Sequence, residues 1–138
     1  MSIELPKWVD GAGLLDFVIF ERASPLPRPR INKHTGSIYQ PIDSQNKVRK
    51  ALLEIEQEPI DVPFILEADF YFEKKEYFLK VDVDNLLKAL ADNLQAMKII
   101  TNDRLMMGSR VTKNLYEDFI CLRLIRAEKE LIPLDLIS

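Results

Sequence analysis

The chain has 138 residues, of which 47% are hydrophobic and 30% are charged, a composition typical of one globular domain with a single core. No apolar run approaches the roughly 20 residues of a membrane-spanning helix, and segment 1–15 lacks the apolar stretch of a signal peptide. We therefore expect neither a membrane protein nor a secreted one. The lone Cys121 cannot form an internal disulfide, and its strand-like surroundings suggest a buried thiol in a cytoplasmic protein.

The net charge is −3, which by itself argues against a nucleic-acid partner. The charge is unevenly distributed, however. Segment 22–50 has seven basic residues against Asp43 alone, a balance of +6 that leaves −9 for the rest of the chain. We expect this basic segment to hold phosphates at one surface. A solvated loop without a partner is the alternative interpretation.

The first part of the chain is irregular. Residues 1–13 show no clear periodicity, and we expect them to be a loosely held lead-in. Residues 14–20 predict a strand, because β-branched and aromatic residues dominate there. Segment 24–41 has four prolines and one glycine among its 18 residues, so a long surface loop is expected. The apolar stripe at helical spacing over 45–57 then predicts a helix.

The middle of the chain has the clearest periodicities. Residues 63–72 alternate between apolar and polar side chains and predict a strand. A charged turn over 73–76 and a short extended piece over 77–83 are expected next. Residues 84–97 predict the most distinct helix, since leucine and alanine recur on one face.

The last part of the chain predicts strands joined by short connections. Two short strands are expected over 99–100 and 105–112, a longer one over 116–127, and a C-terminal tail over 128–138. Together the elements predict one domain of mixed α/β (α+β) class, with two main helices packed on a mixed sheet. Because the connections after residue 98 are short, we expect a large antiparallel share.

Charged side chains are concentrated where the clearest helix begins. Asp82 and Asp84 are two residues apart, so in an extended segment they point to the same side. Lys88 lies one helical turn after Asp84 and on the same face. Clustered carboxylate oxygens are hard ligands that suit Mg²⁺ or Mn²⁺. A third carboxylate must come from elsewhere, and Asp103, in the turn after the helix, is the best candidate.

Simpler roles exist for two of these residues. Asp84 by itself is a good helix cap, and Lys88 can form a surface pair with Asp84 or Asp92. Neither role explains Asp82, since a chain entering a helix has little use for a second acid beside a cap. A metal site is therefore the preferred interpretation.

The string DVDNLLKALADNL, followed by NDRLM, resembles the signature of the RusA family of Holliday junction resolvases. The segment PLPRPRINKHTGSIYQP is similar to a loop of many phage-borne members, and the resemblance covers about residues 15–127. Matched residue by residue, it implies that Asp82, Asp84 and Asp103 bind the metal and that Lys88 is the catalytic lysine.

The resemblance further implies a RusA-like fold, a homodimer, dependence on Mg²⁺ or Mn²⁺, and paired symmetric nicks across a four-way junction. It places the protein in DNA recombination and repair, with a phage or prophage origin. Asn102 departs from the family pattern, which has an acid there. We expect Arg28, Arg30 and Lys33 to contact DNA phosphates, because arginine grips phosphate through two donors at once.

Two other functions remain as alternatives. One is a catalytically weak protein of the same fold that binds branched DNA without cutting it. The clustered acids argue against it, since binding alone needs no carboxylates near DNA. The other is a hydrolase of RNA or of a small phosphate ester, and the basic segment argues against it.

Overall fold

The computed structural model of the protein describes residues 3–25, 30–31, 34–35, 38–39 and 43–133. Within these residues, helices pack against one four-stranded mixed sheet. The predicted α+β class is thereby confirmed.

The sheet consists of four strands, listed in chain order: β1 (Glu4–Ile19), β4 (Phe64–Phe72), β5 (Met106–Leu115) and β6 (Phe119–Pro133). In space they follow the order β1-β6-β4-β5. Strand β6 pairs antiparallel with both β1 and β4, whereas β4 pairs parallel with β5. The expected large antiparallel share is confirmed, and the edge at β5 is the parallel part of the sheet.

Three helices connect the strands in the described part of the chain: α1 (Asp43–Leu52), α2 (Lys75–Lys80) and α3 (Val83–Ala96). Helix α3 is the longest, with 14 residues. No helix among the described residues has the length and apolar character needed to cross a membrane.

The core lies between the helices and one face of the sheet. Alternate residues of β4 are buried on this face, as the periodicity predicted, and the same holds for the first part of β6; they are Phe64, Leu66, Ala68, Phe70, Phe72, Ile120, Leu122 and Leu124. Helix α3 covers them with Leu86, Leu90 and Leu94, and α1 with Val48 and Leu52. This packing fixes α3, which carries the candidate site, against the sheet.

The expected loose lead-in over 1–13 is wrong for its described part. Residues 4–13 belong to β1, and all of them except 11 and 12 pair with β6. Strand β6 extends to Pro133, so most of the expected tail over 128–138 is strand as well. Periodicity missed this ribbon because both of its faces are largely exposed, so no alternation marks it. Residues 134–138 lie outside the described residues.

Three other local predictions also need correction. The expected extended piece over 77–83 is mostly helix α2, a helix too short to show a periodic stripe. The expected loop over 24–41 contains two short strands, β2 (Arg30–Ile31) and β3 (Ile38–Tyr39), which pair antiparallel. Helix α1 ends at Leu52, five residues before the predicted end at residue 57.

Candidate active site

Helix α3 begins between the two aspartates of the predicted pair. Asp82 has extended backbone angles, φ −91° and ψ 134°, and its carboxylate accepts a 3.1 Å hydrogen bond from the backbone N–H of Asp84. Asp82 is therefore the N-cap, the role that the sequence suggested for Asp84. The same-side argument is also wrong, because the chain turns into a helix at Val83 instead of staying extended. Asp84 lies in the first turn, where the helix dipole favours a carboxylate.

Three charged residues follow one another along the exposed face of α3. Asp84, Lys88 and Asp92 are spaced four residues apart, so they share one side of the helix. Asp84 and Asp92 are separated by about 12 Å along the helix axis. Lys88 thus lies between two carboxylates, one helical turn from each.

Two hydrogen bonds to side chains hold the turn that contains Asp103. Asp103 begins a short 3₁₀ helix, Asp103–Leu105, capped by the Asn102 side chain, which accepts a 2.9 Å hydrogen bond from the N–H of Arg104. Asn102 thus serves as a cap where the family pattern has an acid. The N–H of Asp103 donates a 2.8 Å hydrogen bond to Oε1 of Gln95, in the last turn of α3. Sequence analysis missed Gln95, since an exposed glutamine late in a helix has no local signal.

An open cleft of about 480 Å³ lies between helix α3 and the turn that contains Asp103. Its lining combines charged and apolar side chains: Asp84, Leu87, Lys88, Ala91, Asp92, Asp103 and Met106. Three of the four predicted site residues therefore meet in one cleft, and Asp92 joins them. Asp82 lies next to the cleft at the start of α3 but does not line it.

The carboxylates of the cleft form an open arrangement. Among the residues that the structure describes, no three aspartate, glutamate, histidine or cysteine side chains are close enough to hold one metal ion together. Mg²⁺, however, is commonly bound by one or two carboxylates, with water and substrate phosphate completing its shell. Asp84 and Asp103, which line the same cleft, fit a site of that kind.

Lys88 is exposed and has no ion-pair partner within the described part of the chain. The surface pair considered from the sequence is therefore not formed. Asp92 pairs instead with Arg49 of α1, with 3.4 Å between Nη2 and Oδ2. The ammonium of Lys88 is thus available to a bound anion.

The predicted DNA contacts lie mostly beyond what the structure describes. Arg28 and Lys33 are outside the described residues, and Arg30 is described only by its backbone in β2. Their contact with DNA stays a prediction.

The opposite face of the sheet is also charged, but its charges are paired. Arg110 donates hydrogen bonds to Asp10 and Glu67, which raise the pKa of its guanidinium further above the usual value. Cys121 lies on this face, half-buried rather than fully buried as expected. Burial, and then the nearby Asp69 and Asp16, raise the pKa of its thiol, so it stays protonated at neutral pH.

Comparison with known protein families finds a match over most of the chain. The sequence profile described as Endodeoxyribonuclease RusA matches residues 22–120. This chain belongs to the RusA family. No curated protein shows a significant match to it.

The matched region contains the basic segment and the whole of α3 and the Asp103 turn, so it includes every residue of the candidate site. As a RusA-family protein, the chain is a nuclease, and the family implies activity on Holliday junctions. The cleft along α3 is its candidate active site.

Proposed function

We propose that this RusA-family protein is a metal-dependent endodeoxyribonuclease that resolves four-way DNA junctions by paired symmetric nicks. The observation that supports this proposal is the net negative charge of the cleft. Its lining has three carboxylates, Asp84, Asp92 and Asp103, against the single ammonium of Lys88. A site with this excess of negative charge repels a phosphodiester unless a divalent cation neutralises it.

Asp84 and Asp103 would hold the cation, Mg²⁺ or Mn²⁺. Asp82 is proposed as a third carboxylate, acting through the oxygen that does not accept the cap hydrogen bond from Asp84. The bound ion would supply an activated water molecule and stabilise the leaving oxygen. Hard carboxylate oxygens select such ions over zinc.

Lys88 is the residue proposed to act on the phosphate. Its position one turn after Asp84 brings an ammonium beside the proposed metal ligands. Negative charge builds on the phosphate during hydrolysis, and a nearby cation lowers the energy of that transition state. Leu87, Ala91 and Met106 also line the cleft beside these groups.

A homodimer is part of the proposal, because two symmetric nicks require two active sites related by a two-fold axis. Arg28, Arg30 and Lys33 would contact phosphates flanking each cut. The proposed function also includes a cytoplasmic location, a role in recombination and repair, and a phage or prophage origin. Sedimentation at micromolar concentration is expected to show a dimer, and a monomer that still makes paired nicks would contradict the symmetry argument.

The decisive experiment is cleavage of a synthetic four-way junction with Mg²⁺, with Mn²⁺ and with EDTA, beside a linear duplex of the same sequence. We expect paired nicks in the junction with either metal, and none with EDTA. Junction binding without nicking under all conditions would instead support the catalytically weak binding protein. Equal cutting of the linear duplex would refute selectivity for branched DNA.

A further inference from the structure

Two amide side chains are buried between α1 and α3. Gln45 is 3% exposed and Asn93 is 1% exposed, and they are the buried polar residues of the described part of the chain. Apolar side chains surround the two amides, with Val48 and Leu90 among them. Buried amides need complete hydrogen bonding to be tolerated there.

The two amides form a hydrogen-bonded chain with a fixed direction. Gln45 Nε2 donates to the backbone oxygens of Ser24 and Pro25, at 3.3 and 2.9 Å. Carbonyl oxygens only accept, so Gln45 must direct its nitrogen toward them and its oxygen toward Asn93, whose Nδ2 donates at 2.8 Å. Asn93 Oδ1 is then left to accept from Nε of Arg49, at 2.7 Å.

This series of hydrogen bonds ends at the guanidinium of Arg49, at the rim of the cleft. Arg49 is 30% exposed at its side chain, and its Nη2 lies 3.4 Å from Asp92, a residue that lines the cleft. The contact with Asn93 is short and partly buried. The contact with Asp92 is longer than a usual charge-assisted hydrogen bond, and the Asp92 side chain is about half exposed to water. This ion pair therefore contributes little to holding the guanidinium in place. Arg49 is therefore oriented by Asn93 and only loosely bound to Asp92.

We propose that Arg49 binds a backbone phosphate of the DNA at the rim of the cleft, and that Gln45 and Asn93 are its positioning residues. The phosphate replaces Asp92 as the partner of the guanidinium, whose planar fork suits two phosphate oxygens. Apolar side chains in place of the two amides would pack α1 on α3 without orienting Arg49. The inference rests on the proposed action on DNA and adds a second cation, at the rim of the cleft, to the ammonium of Lys88.

The test compares Arg49→Gln with Arg110→Gln. Both variants remove one exposed arginine charge, but Arg110 lies on the opposite face of the sheet, paired with Asp10 and Glu67. Binding to a four-way junction is measured in EDTA over a range of salt concentrations. Arg49→Gln is expected to bind about tenfold more weakly, with a slope of log affinity against log salt reduced by about one unit. Arg110→Gln is expected to keep the wild-type slope. Equal slopes for the two variants would overturn the proposal.

Two further variants test the orientation. Arg49→Lys keeps the charge but loses the fork, so we expect the wild-type salt slope with weaker affinity. Asn93→Leu keeps every charge and is expected to weaken junction binding by the folded protein as well, as monitored by its melting temperature. If Asn93→Leu lowered the melting temperature and left the affinity of the folded protein unchanged, the amides would be structural only.

Failure of this inference differs from failure of the proposed function. If the wild type nicks junctions but Arg49→Gln retains its affinity and slope, only the phosphate contact is refuted. If the wild type binds junctions through Arg49 but never nicks them, the contact stands and the nuclease proposal fails.

Discussion

The backbone N–H of Asp103 donates a 2.8 Å hydrogen bond to the side-chain oxygen of Gln95, at the end of α3. Helix α3 thus carries Asp84 and Lys88 on its exposed face. Through Gln95 it also holds the turn that contains Asp103, another predicted metal ligand. The position of Asp103 relative to the other carboxylates of the cleft therefore depends on Gln95, a side chain that does not line the cleft.

Replacing Gln95 by leucine is expected to lower the affinity for Mn²⁺ by about tenfold, because residues that orient metal ligands typically have effects of that size. Titration calorimetry measures it. Gln57→Leu is the matched control, since Gln57 is exposed and distant in sequence from the cleft. The same affinity for both variants would show that Gln95 does not position Asp103.

Substituting each proposed ligand by asparagine, in Asp82→Asn, Asp84→Asn and Asp103→Asn, is expected to reduce cleavage by at least about a hundredfold while junction binding survives. Asparagine caps helices as well as aspartate does, so Asp82→Asn keeps the stability of α3. Asp82→Ala also removes the cap and is expected to lose about 1 kcal/mol in urea unfolding. Near-wild-type nicking by any asparagine variant would remove that residue from the site.

Lys88→Ala is expected to lose cleavage and to retain metal affinity, because the ammonium acts on the phosphate rather than on the ion. Nicking assays and calorimetry on the same preparation distinguish the two effects. A collapse of Mg²⁺ or Mn²⁺ affinity would mean instead that Lys88 organises the carboxylates.

The double variant Arg28→Ala/Arg30→Ala is expected to weaken binding to all branched DNAs about equally and to flatten the salt dependence by roughly one unit per lost contact. The control Arg123→Ala/Arg126→Ala makes the same charge change on β6, away from the basic segment. An unchanged slope for the first variant would mean that the basic segment is solvated and does not contact DNA.

Cys121 is expected to react slowly with iodoacetamide at neutral pH, because burial raises the pKa of its thiol and only the thiolate reacts. A raised pKa shifts the rise in rate to a higher pH than the usual value of about 8.5. The rate is measured against pH for the folded protein and for the protein in denaturant. The same midpoint in both conditions would contradict the raised pKa.

The sequence by itself determined the features that depend on neighbouring residues. Strand β4 follows from the alternation that ends at Phe72, and α3 follows from its leucine spacing and from the aspartates at its start. Local motifs also suggested Asp82, Asp84, Lys88 and Asp103 as site residues, and the structure brings the last three of them to one cleft. Such patterns reflect backbone geometry and burial within a few residues, which do not require knowledge of the rest of the chain.

Only the tertiary structure decided how those residues are arranged. The chain turns into a helix at Val83, so that Asp82 caps the helix and Asp84 lies in its first turn, and no local pattern locates that turn to one residue. The contact between Arg49 and Asn93 joins residues 44 positions apart in sequence. It exists because apolar burial packs α1 against α3, and that packing brings distant polar groups together beside the cleft.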